Sequence, residues 1–209
     1  KKILRASKDN GLINEMPTKD IKFRRKVQRN ELRKQILTTD ELKLLSKTKC
    51  GNDELRKAFL FSCFTGLGYA EIKKLKWEYI VKNRLVTRRE KTNQAINVKI
   101  KDSILSLLGE RCKKDVHVFN MNNDNGKPIS DNGVNKCLKN WVARAKIDKH
   151  ITFYCARHTY ATQLLLHGAN LKTVADALGH SSTQHTLKYL NYIDSLADNA
   201  IDNLPELDF

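Results

Sequence analysis

Residues 152–192 read TFYCARHTYATQLLLHGANLKTVADALGHSSTQHTLKYLNY, and this stretch decides the fold. Its apolar residues recur at the spacing of a buried helix face, first from 153 to 164 and again from 171 to 178. Gly179 follows the second set and predicts the end of that helix. Ser181 and Ser182 are predicted to cap a third helix, which carries Tyr189. The apolar positions are Phe153, Ala156, Tyr160 and Leu164, then Leu171, Val174, Ala175 and Leu178.

Three polar side chains of this stretch are predicted to lie away from the apolar faces. Leu187 and Leu190 form the expected inner face of the third helix, so Tyr189 is predicted to point outward. His180 precedes Tyr189 by nine residues, and a kink between them brings both towards one site. Arg157 lies off the face of the first helix. Arginine and histidine suit the charge of a phosphate, and tyrosine can act as a nucleophile.

Three motifs stand in a fixed order here: Ala156-Arg157-His158-Thr159, then Leu178-Gly179-His180, then a tyrosine nine residues later. The pattern resembles the catalytic domain of tyrosine recombinases, the phage integrase family. Cys63-Phe64-Thr65-Gly66-Leu67 makes it most similar to integrases of conjugative transposons. The resemblance runs from about Gly11 to about Asp194. It implies a mainly α fold with a small antiparallel β-sheet (α+β), which type IB topoisomerases share.

The composition points to a polyanionic partner. The 209 residues include 39 Lys and Arg against 23 Asp and Glu, a formal net charge of +16. That excess favours a nucleic acid over a membrane as partner. No apolar run approaches the length of a membrane-spanning helix. The chain begins at Lys1 and not at Met, which predicts a piece of a longer protein.

The five cysteines are scattered and form no Cys-x-x-Cys pair, so neither a disulfide framework nor a zinc site is predicted. Two of them, Cys63 and Cys155, fall in apolar helices and are predicted to be small core residues. This use of cysteine indicates an intracellular protein, and we expect the cytoplasm. No metal or other cofactor is predicted. The cysteines are Cys50, Cys63, Cys112, Cys137 and Cys155.

Upstream of residues 152–192, the spacing of apolar residues predicts helices around a small hairpin. Thr38 and Glu41 have the spacing of a capping box, which predicts a helix from there to about Thr48. Lys91 falls near the tip of the predicted hairpin. Further helices are expected over 53–65, 69–76, 103–109, 130–145 and 195–204, and strands over 77–80, 84–89, 95–100 and 116–119.

The chain is predicted to have three parts. By the resemblance, residues 1–16, which include a helix stop at Gly11, are expected to be the end of a core-binding domain. Residues 17–35 form a basic interdomain linker, and 36–209 the catalytic domain. From 19 to 34 there are eight basic and two acidic residues, which fits a solvated linker and a DNA contact equally well. The resemblance favours DNA, and the candidate contacts are Arg24, Arg25 and Lys26.

The resemblance also implies an activity. Tyrosine recombinases cut and rejoin double-stranded DNA through a 3′-phosphotyrosyl bond, without a metal, as homo-oligomers from dimer to tetramer. By match to the family motif, Tyr189 is the nucleophile, with Tyr192 as the near rival. Arg157 binds the scissile phosphate and His180 donates a hydrogen bond to it. Lys91, on its own an ordinary turn lysine, becomes the general acid for the 5′-oxygen.

Two positions depart from the family pattern. The first family arginine should follow Thr65-Gly66-Leu67, where this sequence has Gly68. A histidine should stand three residues before Arg157, where this sequence has Tyr154, which can donate a hydrogen bond but cannot become a cation. His158 follows the arginine as usual and is assigned a supporting role. Loss of one charged donor costs about 3–4 kcal/mol of transition-state stabilisation.

Three explanations of Gly68 stay open. The first is that another cation fills the space, the second that the enzyme is weak or tightly regulated, and the third that the sequence was altered deliberately. Natural divergence is favoured, because integrases of mobile elements can lack this arginine. The substitute cations to consider are Arg88, Arg89, Lys73 and Lys74, the first two being candidate DNA contacts as well.

Two other functions compete with an integrase. A DNA-binding relative that lost the chemistry would explain Gly68 and Tyr154. The joint presence of the lysine, arginine, histidine and tyrosine named above opposes that alternative. A type IB topoisomerase uses the same chemistry, but the basic linker and the truncated first domain favour an integrase.

Overall fold

The computed structural model describes residues 2–17, 35–90, 92–123 and 125–190. The chain divides into two compact units, residues 1–33 and 34–209. In the first unit, helix α1 (Lys2–Asp9) precedes a turn in which Gly11 has a φ of +71°, so the predicted helix stop is confirmed. The predicted DNA contacts at Arg24, Arg25 and Lys26 and the helix predicted at 195–204 lie outside the described residues.

The described part of the second unit is mainly helical. The capping box at the start of α2 is confirmed, because Thr38 and Glu41 each bond the other's backbone N–H. A left-handed Gly66 ends α3, as predicted. The helices are α2 (Thr39–Lys47), α3 (Asp53–Thr65), α4 (Tyr69–Lys74), α5 (Asp102–Leu108), α6 (Asp131–Arg144), α7 (Phe153–Leu166), α8 (Leu171–Ala177) and α9 (Gln184–Leu187).

A three-stranded antiparallel sheet lies between α4 and α5 in the chain. Its strands are β1 (Ile80–Val81), β2 (Arg84–Arg88) and β3 (Ala95–Lys99), in the order β1-β2-β3. Ile96 and Val98 face inward from β3, as their alternation predicted. The strand predicted over 77–80 is wrong in its first part, because Trp77–Tyr79 form a short 3-10 helix.

The strand predicted over 116–119 is also wrong. The structure describes all four residues, and they hold only an isolated bridge between His117 and Lys76. Val118 N donates to Leu75 O at 2.8 Å, but this segment is a loop that lies beside the residues just past α4, and it forms no ladder. Apolar alternation alone cannot distinguish such a covering loop from a strand.

Helix α7 lies at the centre of this unit. From Phe153 to Thr162 every residue except Tyr154 is buried. The sequence predicted burial of one apolar face only, and the buried surface of the helix is much wider than that. Phe59 of α3 packs edge-on against Phe153 and against Trp141 of α6, with ring centroids 5.6 and 5.9 Å apart. A helix enclosed on all sides holds its polar side chains as firmly as its apolar ones.

The last described turns differ most from the prediction. Gly179 ends the α8 segment with a φ of +61°, as predicted, and Ser182 Oγ accepts a bond from the backbone at the start of α9. Tyr189 was expected to point outward, and this is wrong, because it is fully buried. Leu187 and Leu190, expected inward, are 47% and 38% exposed.

The reason for this reversal is the shortness of α9. The helix ends at Leu187, and Tyr189 N bonds to Thr186 O at 2.9 Å, a tighter 3-10-type turn. That turn changes the phase of the chain, so helical spacing no longer tells which side chain faces the core. Among the described residues, no helix is long and apolar enough to cross a membrane.

Candidate active site

The carbonyl oxygen of Leu178 is the point where two arginine side chains meet. Arg157 Nη2 donates to this oxygen at 2.9 Å, and Arg89 Nε donates to it at 3.1 Å. Both arginines are buried, with 6% and 7% of their surface exposed. Long cationic side chains are almost never buried without a specific partner. The Leu178 carbonyl is a partner that both arginines share.

Arg157 is held between the ends of two helices. Its Nη1 donates to Gly66 O at 3.0 Å, just past α3, while Nη2 binds Leu178 O just past α8. Carbonyls at helix C-termini lack helical partners and carry partial negative charge, so they attract a guanidinium. The prediction that Arg157 lies away from the packed faces is therefore wrong. Its backbone is in the centre of the core, and two carbonyl groups hold its guanidinium in place.

Arg89 is held by a carboxylate as well as by the carbonyl. Its Nη1 lies 2.5 Å from Glu71 Oε2, and both side chains are largely buried, at 8% and 16% exposure. The same Glu71 oxygen accepts a bond from Gly68 N at 2.6 Å. The position that lacks the first family arginine is thus joined to Arg89 through one carboxylate.

His180 lies beside this pair of arginines. Its Nδ1 is 2.8 Å from Thr186 Oγ1. Partial burial, followed by the positive charges of Lys188 and Arg89, lowers the pKa of His180 to about 4. The imidazole is therefore neutral at pH 7. When the Thr186 hydroxyl donates to Nδ1, the single N–H of the ring is on Nε2 and is available as a donor.

The ring of Tyr189 lies parallel to that of His180. Their centroids are 6.4 Å apart with an angle of 2° between the planes, so the predicted approach of these two residues across the kink is confirmed. On another side, the ring of His158 is 5.3 Å from Tyr189, and Tyr154 is 4.6 Å from His158. Buried His158 thus stands between the two tyrosines, whereas Tyr154 is 48% exposed.

The tip of the β2–β3 hairpin packs against the end of α8. Thr92 Oγ1 donates to Gly179 O at 3.3 Å. A Cβ at Gly179 would lie 3.3 Å from Ile96 and 3.5 Å from Arg89 Cβ, so both its left-handed φ and this close approach require glycine. Lys91 lies outside the described residues. Its neighbour Thr92 and nearby Arg89 both contact the turn at 178–179.

The other predicted cations lie apart from this cluster. Arg88 is exposed and donates to Asn93 O in its own hairpin. The side chains of Lys73 and Lys74 are 45% and 68% exposed, and they pair with Asp131 and Glu90. The structure therefore brings together Arg89, Arg157, His180 and Tyr189 from four separate parts of the chain.

Two residues of the site were missed from the sequence. Glu71 stands three residues after Gly68, the spacing at which a glutamate bonds back to a helix start, and this signal could have found it. Thr186 was missed because a six-residue separation from His180 corresponds to no regular spacing. Only the tight turn at 179–183 brings them together.

The fold resembles that of several solved structures. A lambda integrase dimer bound to a COC′ core site matches with a TM-score of 0.68 at 18% identity, over 100% of this chain and 72% of that one. The Tn1549 transposon integrase in complex with circular intermediate DNA gives 0.63 at 19%, over 90% and 71%. The catalytic domain of bacteriophage HP1 integrase gives 0.59 at 22%, over 81% and 95%. The expected α+β catalytic-domain fold is confirmed.

Curated relatives match over shorter stretches. Tyrosine recombinase XerD of Halalkalibacterium halodurans is 38% identical over 81 residues, which cover 39% of this chain and 27% of that protein. Tyrosine recombinase XerC of Lacticaseibacillus casei is 32% identical over 108 residues, covering 52% and 36%. The chain thus spans about a third of the length of these relatives.

The family pattern itself extends further. The sequence pattern of the phage integrase family matches residues 34–195 of this chain. That range includes α2 to α9, the hairpin and all the side chains that meet around Leu178. Because the match covers well over half of the sequence, the chain belongs to the phage integrase family.

Proposed function

We propose that this chain is the catalytic part of a site-specific DNA recombinase, the integrase of a mobile element. One observation carries the proposal, the arrangement around the turn at 178–180. Arg157 binds the Leu178 carbonyl, and the ring of His180 lies parallel to that of Tyr189 at 6.4 Å. A guanidinium, a neutral imidazole and a tyrosine gathered in one place suit the cleavage of a phosphodiester.

The proposed reaction exchanges one phosphoester bond for another. The hydroxyl oxygen of Tyr189 attacks phosphorus and loses its proton to solvent, while the bond from phosphorus to the 5′-oxygen breaks. Lys91 gives a proton to the departing oxygen, which leaves a free 5′-hydroxyl and a 3′-phosphotyrosyl bond. Attack of another strand's 5′-hydroxyl on that bond releases Tyr189 and rejoins the DNA. The scheme requires no metal and no other cofactor.

The side chains around the phosphate would stabilise its charge. Arg157 has five N–H donors, and its bonds to Gly66 and Leu178 use two of them, so others remain for the non-bridging oxygens. Neutral His180 supplies one further donor. The contact of Thr92 with Gly179 supports the role of Lys91, because it holds the hairpin tip beside the same turn.

Tyr189 must move to perform this reaction. Its side chain is fully buried, and a buried hydroxyl cannot meet a phosphate of duplex DNA. The segment that carries it is lightly attached, since α9 has four residues and Leu187 is half exposed. DNA binding is proposed to shift this segment and deliver Tyr189 to the phosphate.

Duplex DNA is the proposed substrate and partner. The net charge of +16 supports a polyanion, and the lambda and Tn1549 integrases named above are bound to DNA in their structures. By the same analogy, the active form is a homo-oligomer, dimer to tetramer, assembled on the DNA. The proposed compartment is the cytoplasm, where bacterial DNA lies.

A nicked duplex tests this function. Cleavage near the nick releases a short strand, so rejoining fails and the protein stays covalently bound to DNA. We expect an SDS-resistant adduct from the unaltered protein, none from Tyr189→Phe, and an adduct from the control Tyr192→Phe. DNA binding by Tyr189→Phe should stay near that of the unaltered protein.

The runner-up function is a DNA-binding relative without catalysis. The absence of an arginine at Gly68 and the burial of Tyr189 favour it. The same experiment separates the two: a protein that binds the nicked duplex tightly but never forms an adduct is the non-catalytic relative.

A further inference from the structure

The surroundings of Gly68, at the start of α4, show what lies where the family arginine is missing. Gly68 has a φ of −79°, an ordinary value for any residue, so the backbone does not require glycine there. A Cβ at this position would lie 3.1 Å from Glu71 Oε2. The space next to Gly68 is thus occupied by a carboxylate, and a carboxylate beside a phosphate site needs a cation to neutralise it.

Arg89 supplies that cation. Of the four substitutes considered from the sequence, all of them described by the structure, only Arg89 is buried. It pairs with Glu71 at 2.5 Å, and Glu71 in turn binds Gly68 N. The carboxylate of Glu71 therefore links the guanidinium of Arg89 to the backbone of Gly68, where the family arginine is missing.

Arg89 also faces the arginine that the family pattern does retain. Its Nε and Arg157 Nη2 bind the same carbonyl oxygen, that of Leu178, so the two guanidinium groups are neighbours across one atom. Two adjacent buried cations repel each other and are stable only with anionic partners. Glu71 compensates one charge, and an incoming phosphodiester would compensate the other.

We propose that Arg89 is the second phosphate-binding arginine of this active site, in place of the one missing at Gly68, and that Glu71 positions it. This inference rests on the proposed function. It places the second arginine on the β2–β3 hairpin, two residues before Lys91 in the sequence, the proposed general acid. The charge that develops on the phosphoryl oxygens is then covered from two directions, by α7 and by the hairpin.

The first test is single-turnover cleavage of the nicked duplex. Arg89→Ala should lower the cleavage rate at least about 100-fold, while DNA affinity at the same salt concentration changes less than about threefold. Arg84→Ala is the matched control, since Arg84 is an exposed arginine of β2, the strand that Arg89 directly follows, and it bonds across the hairpin to Asn97. Its cleavage rate should match that of the unaltered protein.

A second substrate separates phosphate binding from mere support of the fold. In a methylphosphonate linkage one non-bridging oxygen is a methyl group, so the linkage has no negative charge and needs fewer cations. We expect the ratio of the cleavage rates on the neutral and the charged linkage to be at least about 10-fold higher in Arg89→Ala than in the unaltered protein. Both rates come from one protein sample, so partial unfolding cancels from the ratio.

The third test introduces an arginine at position 68, where the family arginine is missing. In the unaltered background, Gly68→Arg should lower cleavage, because two guanidinium groups would compete for Glu71. In the Arg89→Ala background it should raise cleavage at least about 10-fold, because it restores the lost charge.

The outcomes distinguish the two levels of the proposal. No adduct from the unaltered protein overturns the proposed function and this inference with it. An adduct from the unaltered protein, with Arg89→Ala cleaving within about threefold of it, overturns the role of Arg89 alone. An equal loss on the neutral and charged linkages, without rescue by Gly68→Arg, makes Arg89 a structural residue and also overturns the inference.

Discussion

The two halves of the candidate site are held with very different firmness. The proposed phosphate-binding half consists of Arg157 on α7, which is buried nearly all round, and Arg89 just past the end of β2. The nucleophile half consists of Tyr189 just past α9, a helix of four residues. Under the proposed function, the charge-stabilising groups are therefore formed in advance, whereas the nucleophile has to be delivered to them.

The largest effect should come from breaking the preformed half. Arg157→Lys keeps the charge but cannot reach the Gly66 and Leu178 carbonyls with a planar fork. We expect single-turnover cleavage of the nicked duplex to fall at least about 100-fold. Tyr160→Phe, a change in a neighbouring buried residue of α7, serves as the control for altered packing. A rate within about threefold of the unaltered protein would show that Arg157 does not bind the phosphate.

The junction between α3 and α7 tests how rigid this half is. Gly66 has a φ of +71°, and an added Cβ would lie 2.5 Å from Tyr160 Cδ1 and 2.9 Å from Leu178 Cδ2. Gly66→Ala should lower the free energy of unfolding by about 3 kcal/mol, from backbone strain and overpacking together. Urea denaturation measures this change.

Gly168→Ala is the matched control for backbone strain. Gly168 follows the end of α7 with a φ of +85° and nothing within 4 Å of an added Cβ, so only the strain remains, about 1–2 kcal/mol. Equal losses for the two variants would show that the junction is loosely packed and that this half of the site is not rigid.

A pair of leucines contrasts the two halves directly. Leu178 is fully buried between them, whereas Leu187 is 47% exposed on the nucleophile segment. Leu178→Ala should cost about 2–3 kcal/mol of stability, and Leu187→Ala less than about 0.5 kcal/mol. Thermal or urea unfolding of the two variants gives the comparison. A large loss for Leu187→Ala would mean that the segment is firmly docked and resists the movement proposed for Tyr189.

Much of the fold around the preformed half could be predicted from the sequence. The glycine stops at Gly66 and Gly179, the capping box of α2 and the alternation in β3 each reflect a local rule of backbone geometry. The burial of Arg157 could not be predicted, because periodicity marks apolar residues and its partner carbonyls lie 91 and 21 residues away in the chain. The same holds for Arg89, whose carbonyl partner is 89 residues distant.

The nucleophile half was predicted less well. The nine-residue spacing predicted that Tyr189 approaches His180, which is confirmed, but not the direction in which Tyr189 points. Helical spacing assumes a continuing helix, and α9 ends two residues before Tyr189 in a 3-10-type turn. Short elements of one turn are set by contacts with the rest of the protein more than by their own sequence.

The smallest effect concerns the protonation of His180. Its pKa is lowered to about 4 by burial and by nearby positive charges, from a usual value of 6.5. The folded protein thus binds this proton less readily than the unfolded chain, so the contribution of His180 to stability is full above pH 6.5 and declines as the pH falls through about 4. NMR titration of the imidazole, assigned with His180→Gln, should give a midpoint near 4. A midpoint above 6 would contradict a neutral hydrogen-bond donor at pH 7.

The most direct test of the central claim is the identity of the residue that becomes linked to DNA. The protein is incubated with the nicked duplex, the adduct is isolated in SDS, and the DNA-bearing peptide is sequenced by tandem mass spectrometry. We expect a phosphotyrosyl linkage at Tyr189, formed beside the arginines around Leu178 and lost in Tyr189→Phe. A linkage at Tyr192, or an adduct that persists in Tyr189→Phe, would contradict it.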